Sequence, residues 1–194
     1  QVGKEVHRMA ALVRDNLTCA VDGLLSHDLS KNSTLSDNEE VVDYLASEIT
    51  DYLTKVNSAA LPATVSQFMG CAFHVINDLE QIGDHAVKIM EQNEKCVEGG
   101  LVYSEAAREE LSEIFRLDME LFDLTLGLFG QKSMTIDMWQ QIRKIERLIR
   151  RRVSEAQTNH MERMKNKECF FAKGLTFVEV LNSSLRIVNH AVNI

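Results

Sequence analysis

Apolar residues return at three- and four-residue steps over almost the whole chain, the spacing that lays a stripe down one side of an α-helix. Six such stretches can be drawn. The first, over 2–27, carries Val6, Met9, Leu12, Val13, Leu17 and Ala20. The polar run Ser30-Lys31-Asn32-Ser33-Thr34 interrupts it. A second helix is expected over 37–56, entered through Ser36 with Glu39 three positions on. That pair forms a capping box, in which each side chain satisfies a backbone N–H at the helix start. The third helix begins near Pro62, suited to a first turn. It runs to about 95 along Val65, Phe68, Ala72, Ile76, Leu79, Ile82, Ala86 and Ile89. At 1.5 Å per residue it is roughly 50 Å long, a length typical of bundles. Gly99-Gly100 punctuates the chain, and a fourth helix over 104–130 follows Ser104 as N-cap. A fifth covers 134–166 and a sixth 170–194. Short links between long amphipathic helices make neighbours antiparallel, so the expected class is all-α, a six-helix bundle.

The pattern repeats. Residues 77–89 aligned with 182–194, a shift of 105, agree at six of thirteen positions, including His85 with His190, Ala86 with Ala191 and Ile89 with Ile194. The chain therefore reads as one domain built from two copies of a three-helix unit, repeat one over 1–98 and repeat two over 103–194. Two copies packed about a pseudo-twofold bury faces that neither covers alone.

Composition narrows the function classes. A single proline and abundant Leu, Ala, Glu and Met favour helix over sheet. The net charge of −8 opposes a nucleic-acid footprint, which needs Lys and Arg in excess to neutralise phosphates. Cys19, Cys71, Cys96 and Cys169 lie far apart with no CxxC pair, so neither a zinc site nor a disulfide framework is expected. Three of them sit in apolar helical surroundings, which predicts buried free thiols in a reducing compartment. No apolar run reaches the ~18 residues needed to span a bilayer. Both ends fall inside helical pattern, which reads as a domain cut from a longer chain.

The candidate chemistry is acidic. Glu80 and Asp84 stand at i and i+4 on the third helix, and Glu39 and Asp43 make the same pair on the second. If the pairs face each other across antiparallel helices, four carboxylates converge. Oxygen-rich clusters of that kind suit Mg, Mn, Ca, Fe or Zn. Against this, Glu39 already has a capping task and Asp43 has solvent available.

Glu80-Gln81-Ile82-Gly83-Asp84-His85-Ala86-Val87 closely resembles the ERIGDHA signature of PhoU-like proteins. Asn77-Asp78-Leu79, Tyr52-Leu53-Thr54-Lys55-Val56, and Lys4-Glu5 with Arg8-Met9 resemble the subset fused to sodium/phosphate cotransporters. His160-Met161-Glu162-Arg163-Met164 and Glu168-Cys169 look like that subset's second repeat. The resemblance implies a six-helix PhoU-like bundle and a non-catalytic regulatory role in phosphate uptake and homeostasis. It places the domain on the cytoplasmic side of the cell membrane, beside a transporter domain of the same chain, with a homodimer as a further possibility. A free-standing PhoU-type regulator of a phosphate ABC transporter and its sensor kinase is the alternative.

The resemblance also implies a divalent or iron cluster on Glu39, Asp43, Glu80 and Asp84. The asparagine that the family often sets after the DHA motif is Lys88 here, and its ammonium offers to neutralise the carboxylates with no metal at all. Repeat two has lost the acids: Leu185 and Asn189 stand against Glu80 and Asp84, and a shift of 107 sets Glu146 against Glu39 and Arg150 against Asp43. Leucine cannot ligate, and a guanidinium repels a cation. Arg150 is expected to fill the vacated position and pair with Glu146 or a nearby acid, or else to point to water. At most one metal site is expected, in repeat one.

Other features have plainer readings. The basic block 143–152 is either a solvated face with i, i+4 ion pairs or a docking face for an anionic surface. His85 and His190 read as hydrogen-bonding residues at the edge of the core, and Trp139 and Phe68 as packing residues. ExxH, HExxH and the phosphate loop GxxxxGK[ST] are absent, which leaves an unrecognised metal-dependent hydrolase as the remote enzymatic alternative.

Overall fold

The computed structural model describes residues 2–57, 62–131, 134–166 and 171–194. Six helices follow one another: α1 (Val2–Ser26), α2 (Asn32–Asn57), α3 (Ala63–Glu98), α4 (Glu105–Leu126), α5 (Ile136–Lys165) and α6 (Phe171–Asn193). No strand occurs among the described residues. The expected all-α bundle is the observed one.

Helices α1, α2 and α3 pack on one another, as do α4, α5 and α6; α3 then lies along α6, and α1 meets α4. The stripes seen in the sequence form the core. Val6, Met9, Val13 and Leu17 of α1 meet Ala72, Ile76, Leu79, Ile82, Ala86 and Ile89 of α3, all essentially removed from water. From the other three helices come Leu111, Phe122, Ile149, Val153, Phe177, Leu181 and Val188. Burying side chains of this size contributes ~1.5–3 kcal/mol each, which holds together helices whose own propensity is marginal.

The polar joints are specific. Arg14 of α1 grips both carboxylate oxygens of Asp123 on α4, at 2.8 and 3.0 Å. At the α3–α6 contact, His190 Nδ1 lies 2.8 Å from Asp78 Oδ1, and the rings of His85 and His190 stand 6.3 Å apart. His190 thus hydrogen-bonds at the core edge as expected, whereas His85 is buried with Nδ1 unpartnered.

The structure corrects several expectations. Helix α2 starts at Asn32, not 37, so Ser36 lies inside it and no capping box forms with Glu39. The polar run is shortened to a turn: Asp28 Oδ1 accepts from the Ser30 N–H and Oδ2 from the Ser30 hydroxyl, while His27 takes φ 61° and the Asp28 N–H closes onto Gly23 O. An Asx-type turn of this kind reverses the chain in few residues, and α2 then begins early enough to bury Leu35. Helix α4 stops at Leu126, four residues short of the expected end, because Gly127 to Gly130 form turns. Pro62 caps α3 from just outside its first turn.

Among the cysteines only Cys96 is buried; Cys19 is half-buried and Cys71 exposed, all three as free thiols, and Cys169 lies outside the described residues. Phe68 and Trp139 are not core residues either. Phe68 is 37% exposed and leans on Phe129 with ring centres 5.9 Å apart. Trp139 is 41% exposed, with the Arg143 guanidinium 4.6 Å over its ring. Both lie within the first two turns of their helices, where the bundle offers fewer neighbours.

Candidate functional site

Asparagine 16 interrupts the apolar register of α1 and is fully buried. A buried amide must find partners, and this one does. Its Nδ2 donates to Leu35 O and to Glu39 Oε2, each at 3.2 Å, and its Oδ1 accepts from Asn38 Nδ2 at 3.0 Å. The network draws Glu39 inward between α1, α2 and α3. Glycine 83 makes the room: a Cβ there would stand 3.0 Å from both Glu39 carboxylate oxygens. Glu39 is therefore freed from capping and seated against the backbone of α3.

The other three acids surround it. Burial first, then the charge on Asp43, with Asp84 and Glu80 adding to it, push the Glu39 carboxyl up to about 7, although the Asn16 hydrogen bond pulls the other way. Burial, Asp43 and Asp84 likewise hold Glu80 above the usual carboxylate range. The four expected residues thus share one acidic patch on α2 and α3. As placed, however, no three Asp, Glu, His or Cys side chains among the described residues are grouped to hold a metal ion. The donor set is all oxygen, which suits a hard cation, and Glu39 Oε1 is buried without a partner.

Lys88 does not neutralise the patch. It makes no ion pair with Asp84 and turns instead to a cleft beside α6. In the opposite trio, Arg150 meets Glu146 as expected, with Nε and Nη2 at 3.1 and 3.0 Å from Oε1, and extends Nη2 to Asn189 Oδ1 at 2.7 Å. Arg143 holds the second Glu146 oxygen at 2.6 Å. Burial alone would raise Glu146, but the hydrogen bonds and charges of the two arginines outweigh it and hold the carboxyl below its usual value. The basic block is otherwise a solvated face: Arg151 pairs with Glu155, and Arg152 with Glu155 and Glu113.

Sequence reasoning missed Asn16 and the task of Gly83. An asparagine at a core position of an apolar stripe was the available signal for the first. For the second, the glycine inside a well-formed helix was itself the cue, since it costs about 1 kcal/mol relative to alanine.

Residues 6–92 match the family model of the PhoU domain. The whole chain has the PhoU helical-bundle fold. It superposes on the crystal structure of PhoU from Pseudomonas aeruginosa with a TM-score of 0.89 at 20% identity, covering 99% of this chain and 90% of that one. The phosphate transport system regulatory protein PhoU from Streptococcus pneumoniae gives 0.85 at 16% identity, covering 99% and 88%. No curated protein matches the chain in sequence.

Proposed function

We propose that this chain is a PhoU-type regulatory domain of phosphate transport, acting by contact with other proteins and not by catalysis. The observation that carries the reading is the family match over 6–92, which contains most of α3 and its Glu80-to-Ala86 motif. Two neighbours in fold support it, one of them named as a phosphate transport system regulatory protein. A regulator of this kind works only if it binds one state of its transporter more tightly than another. The test is co-purification of the tagged chain from cells held in limiting and in excess phosphate. Phosphate-transporter components recovered in amounts that differ between the two conditions support the proposal. Their absence from both overturns it.

Of the two forms such a regulator takes, the likeness to PhoU proteins along the full length favours the free-standing one. The motif surroundings, such as Tyr52-Leu53-Thr54-Lys55-Val56, are the remaining argument for a domain of a sodium-coupled carrier. No described helix is long and apolar enough to cross a membrane. The gene sequence flanking this segment separates the forms: several apolar stretches of about 20 residues mean fusion.

We also read the acidic patch as a place for a hard divalent cation. Glu39, Asp43, Glu80 and Asp84 would hold it, and the ion would relieve the repulsion that raises Glu39 and Glu80.

A further inference from the structure

The cleft that receives Lys88 is basic, on a protein whose net charge is −8. It measures about 630 Å³ and lies between α3, α5 and α6. Lys88 lines it from α3, Arg150 from α5 and Arg186 from α6. One carboxylate, Glu179, stands against these three cations. The charge is available, because among the described residues neither Lys88 nor Arg186 makes a hydrogen bond or ion pair. Arg150 is different: Glu146 and Asn189 fix its guanidinium from one side and leave Nη1 with no partner among the described residues. A pre-oriented guanidinium loses less freedom on binding than a mobile one.

The position of the cleft adds a second argument. Arg150, Leu185 and Asn189, which line it, are the residues set by the sequence alignment against Asp43, Glu80 and Asp84. Where the first three helices gather carboxylates, the last three carry Leu185 and Asn189 in place of two of them and Arg150 in place of a third, and Lys88 and Arg186 stand beside it. His85 is buried at the wall of the same cleft. Unlike Arg150, Lys88 and Arg186 form no ion pair among the described residues.

We propose that the cleft formed by Lys88, Arg150 and Arg186 binds a soluble, multiply charged phosphate compound. The chemistry recognised is a phosphate group carrying two or more charges: Arg150 supplies a fixed N–H donor, and Lys88 and Arg186 supply mobile cations. The volume exceeds what inorganic phosphate fills and falls in the range that encloses drug-sized ligands, which points to a diphosphate or a nucleotide. The affinity is a property of these side chains, whichever transporter component the domain serves.

The test is isothermal titration of the purified chain with inorganic phosphate, pyrophosphate and ATP at low and at 0.5 M salt. Pyrophosphate or ATP is expected to bind more tightly than phosphate, and more weakly as salt screens the cleft. The Lys88→Gln, Arg186→Gln double variant, which changes two exposed side chains, is expected to lose at least tenfold in affinity. Arg147→Gln, which removes an exposed charge outside the cleft, is expected to bind as the parent does. Glu179→Gln is expected to tighten binding at least twofold, a gain that misfolding cannot imitate. No binding by any of the three probes, or equal losses in the double variant and Arg147→Gln, overturns the proposal. Sedimentation with vesicles containing a phosphoinositide separates a lipid headgroup from a free compound: vesicle binding that excess pyrophosphate or ATP fails to displace also overturns it.

Discussion

The Glu39 carboxylate lies against the backbone of Gly83, so close that a Cβ at residue 83 would stand 3.0 Å from both of its oxygens. That contact joins α2 to α3 and keeps the most perturbed acid of the patch away from water. Gly83→Ala sets two effects against each other. Alanine favours the helix by about 1 kcal/mol, and the new methyl displaces a flexible carboxylate and loosens its bond from Asn16. We expect a net change in unfolding free energy within about 1 kcal/mol, since the two effects nearly cancel. The Glu39 carboxyl, moved toward solvent, should fall toward its ordinary value. Carbon-13 NMR titration of the glutamates reads this directly, and a Glu39 that still titrates near 7 would contradict the placement.

Glu39 itself makes folding stability depend on pH. Its folded-state value, about 7, lies above the ordinary 4.5, so the native protein holds a proton that the unfolded chain releases. Stability is therefore highest below pH 4.5 as far as this group is concerned, and declines as pH rises from there to 7. Glu39→Gln keeps the size and the Asn16 contact while removing the charge. At pH 8 it should stabilise the protein, on the order of 2 kcal/mol after allowing for solvent screening. At pH 4 it should change little. Urea unfolding at both values tests this, and equal effects would contradict it.

Arg150 and Glu146 carry the opposite sign. The Glu146 carboxyl is held below its usual value, so its pair with Arg150 stabilises the fold above pH 4.5 and the contribution is lost as pH falls through the depressed value. Arg150→Met removes two hydrogen bonds to Glu146 and one to Asn189. The expected cost at pH 7 is about 1–2 kcal/mol, modest because Arg143 remains and the guanidinium is half in water. Chemical denaturation should show the deficit narrowing at pH 3.5. A deficit that does not change with pH would mean that the charge pair is not its source.

The cation reading of the acidic patch has its own check. Elemental analysis of the purified protein should find a divalent or iron ion that Glu80→Ala, Asp84→Ala protein lacks. Added Mn²⁺ should raise the thermal midpoint of the parent and leave that variant unmoved. Identical metal content in the two would retire the site.

Much of the fold was legible in the sequence. Helical periodicity reports which face is buried, and in α1 and α3 residues such as Val13, Leu79 and Ile82 are buried as their spacing requires. Ends were harder to read, because local polar residues can serve either a cap or a turn. The Ser36 and Glu39 pair has the letters of a capping box, yet Asp28 and Ser30 close the turn first and α2 begins at Asn32. For the acidic patch, spacing gave the two pairs, but their approach depends on the room left by Gly83 and on buried Asn16, neither of which is a charge. Phe68 and Trp139 were misplaced because an apolar residue near a helix end meets fewer neighbours than its stripe implies, and Cys71, beside buried Ala72, lies on the outer face of α3.

The regulatory account stands or falls on phosphate flux. Radiolabelled phosphate uptake should be compared in cells with and without this gene, at limiting and at saturating phosphate. The account predicts that parent cells lower their uptake when phosphate is plentiful and that cells lacking the chain do not. Uptake that responds identically in both strains would contradict it.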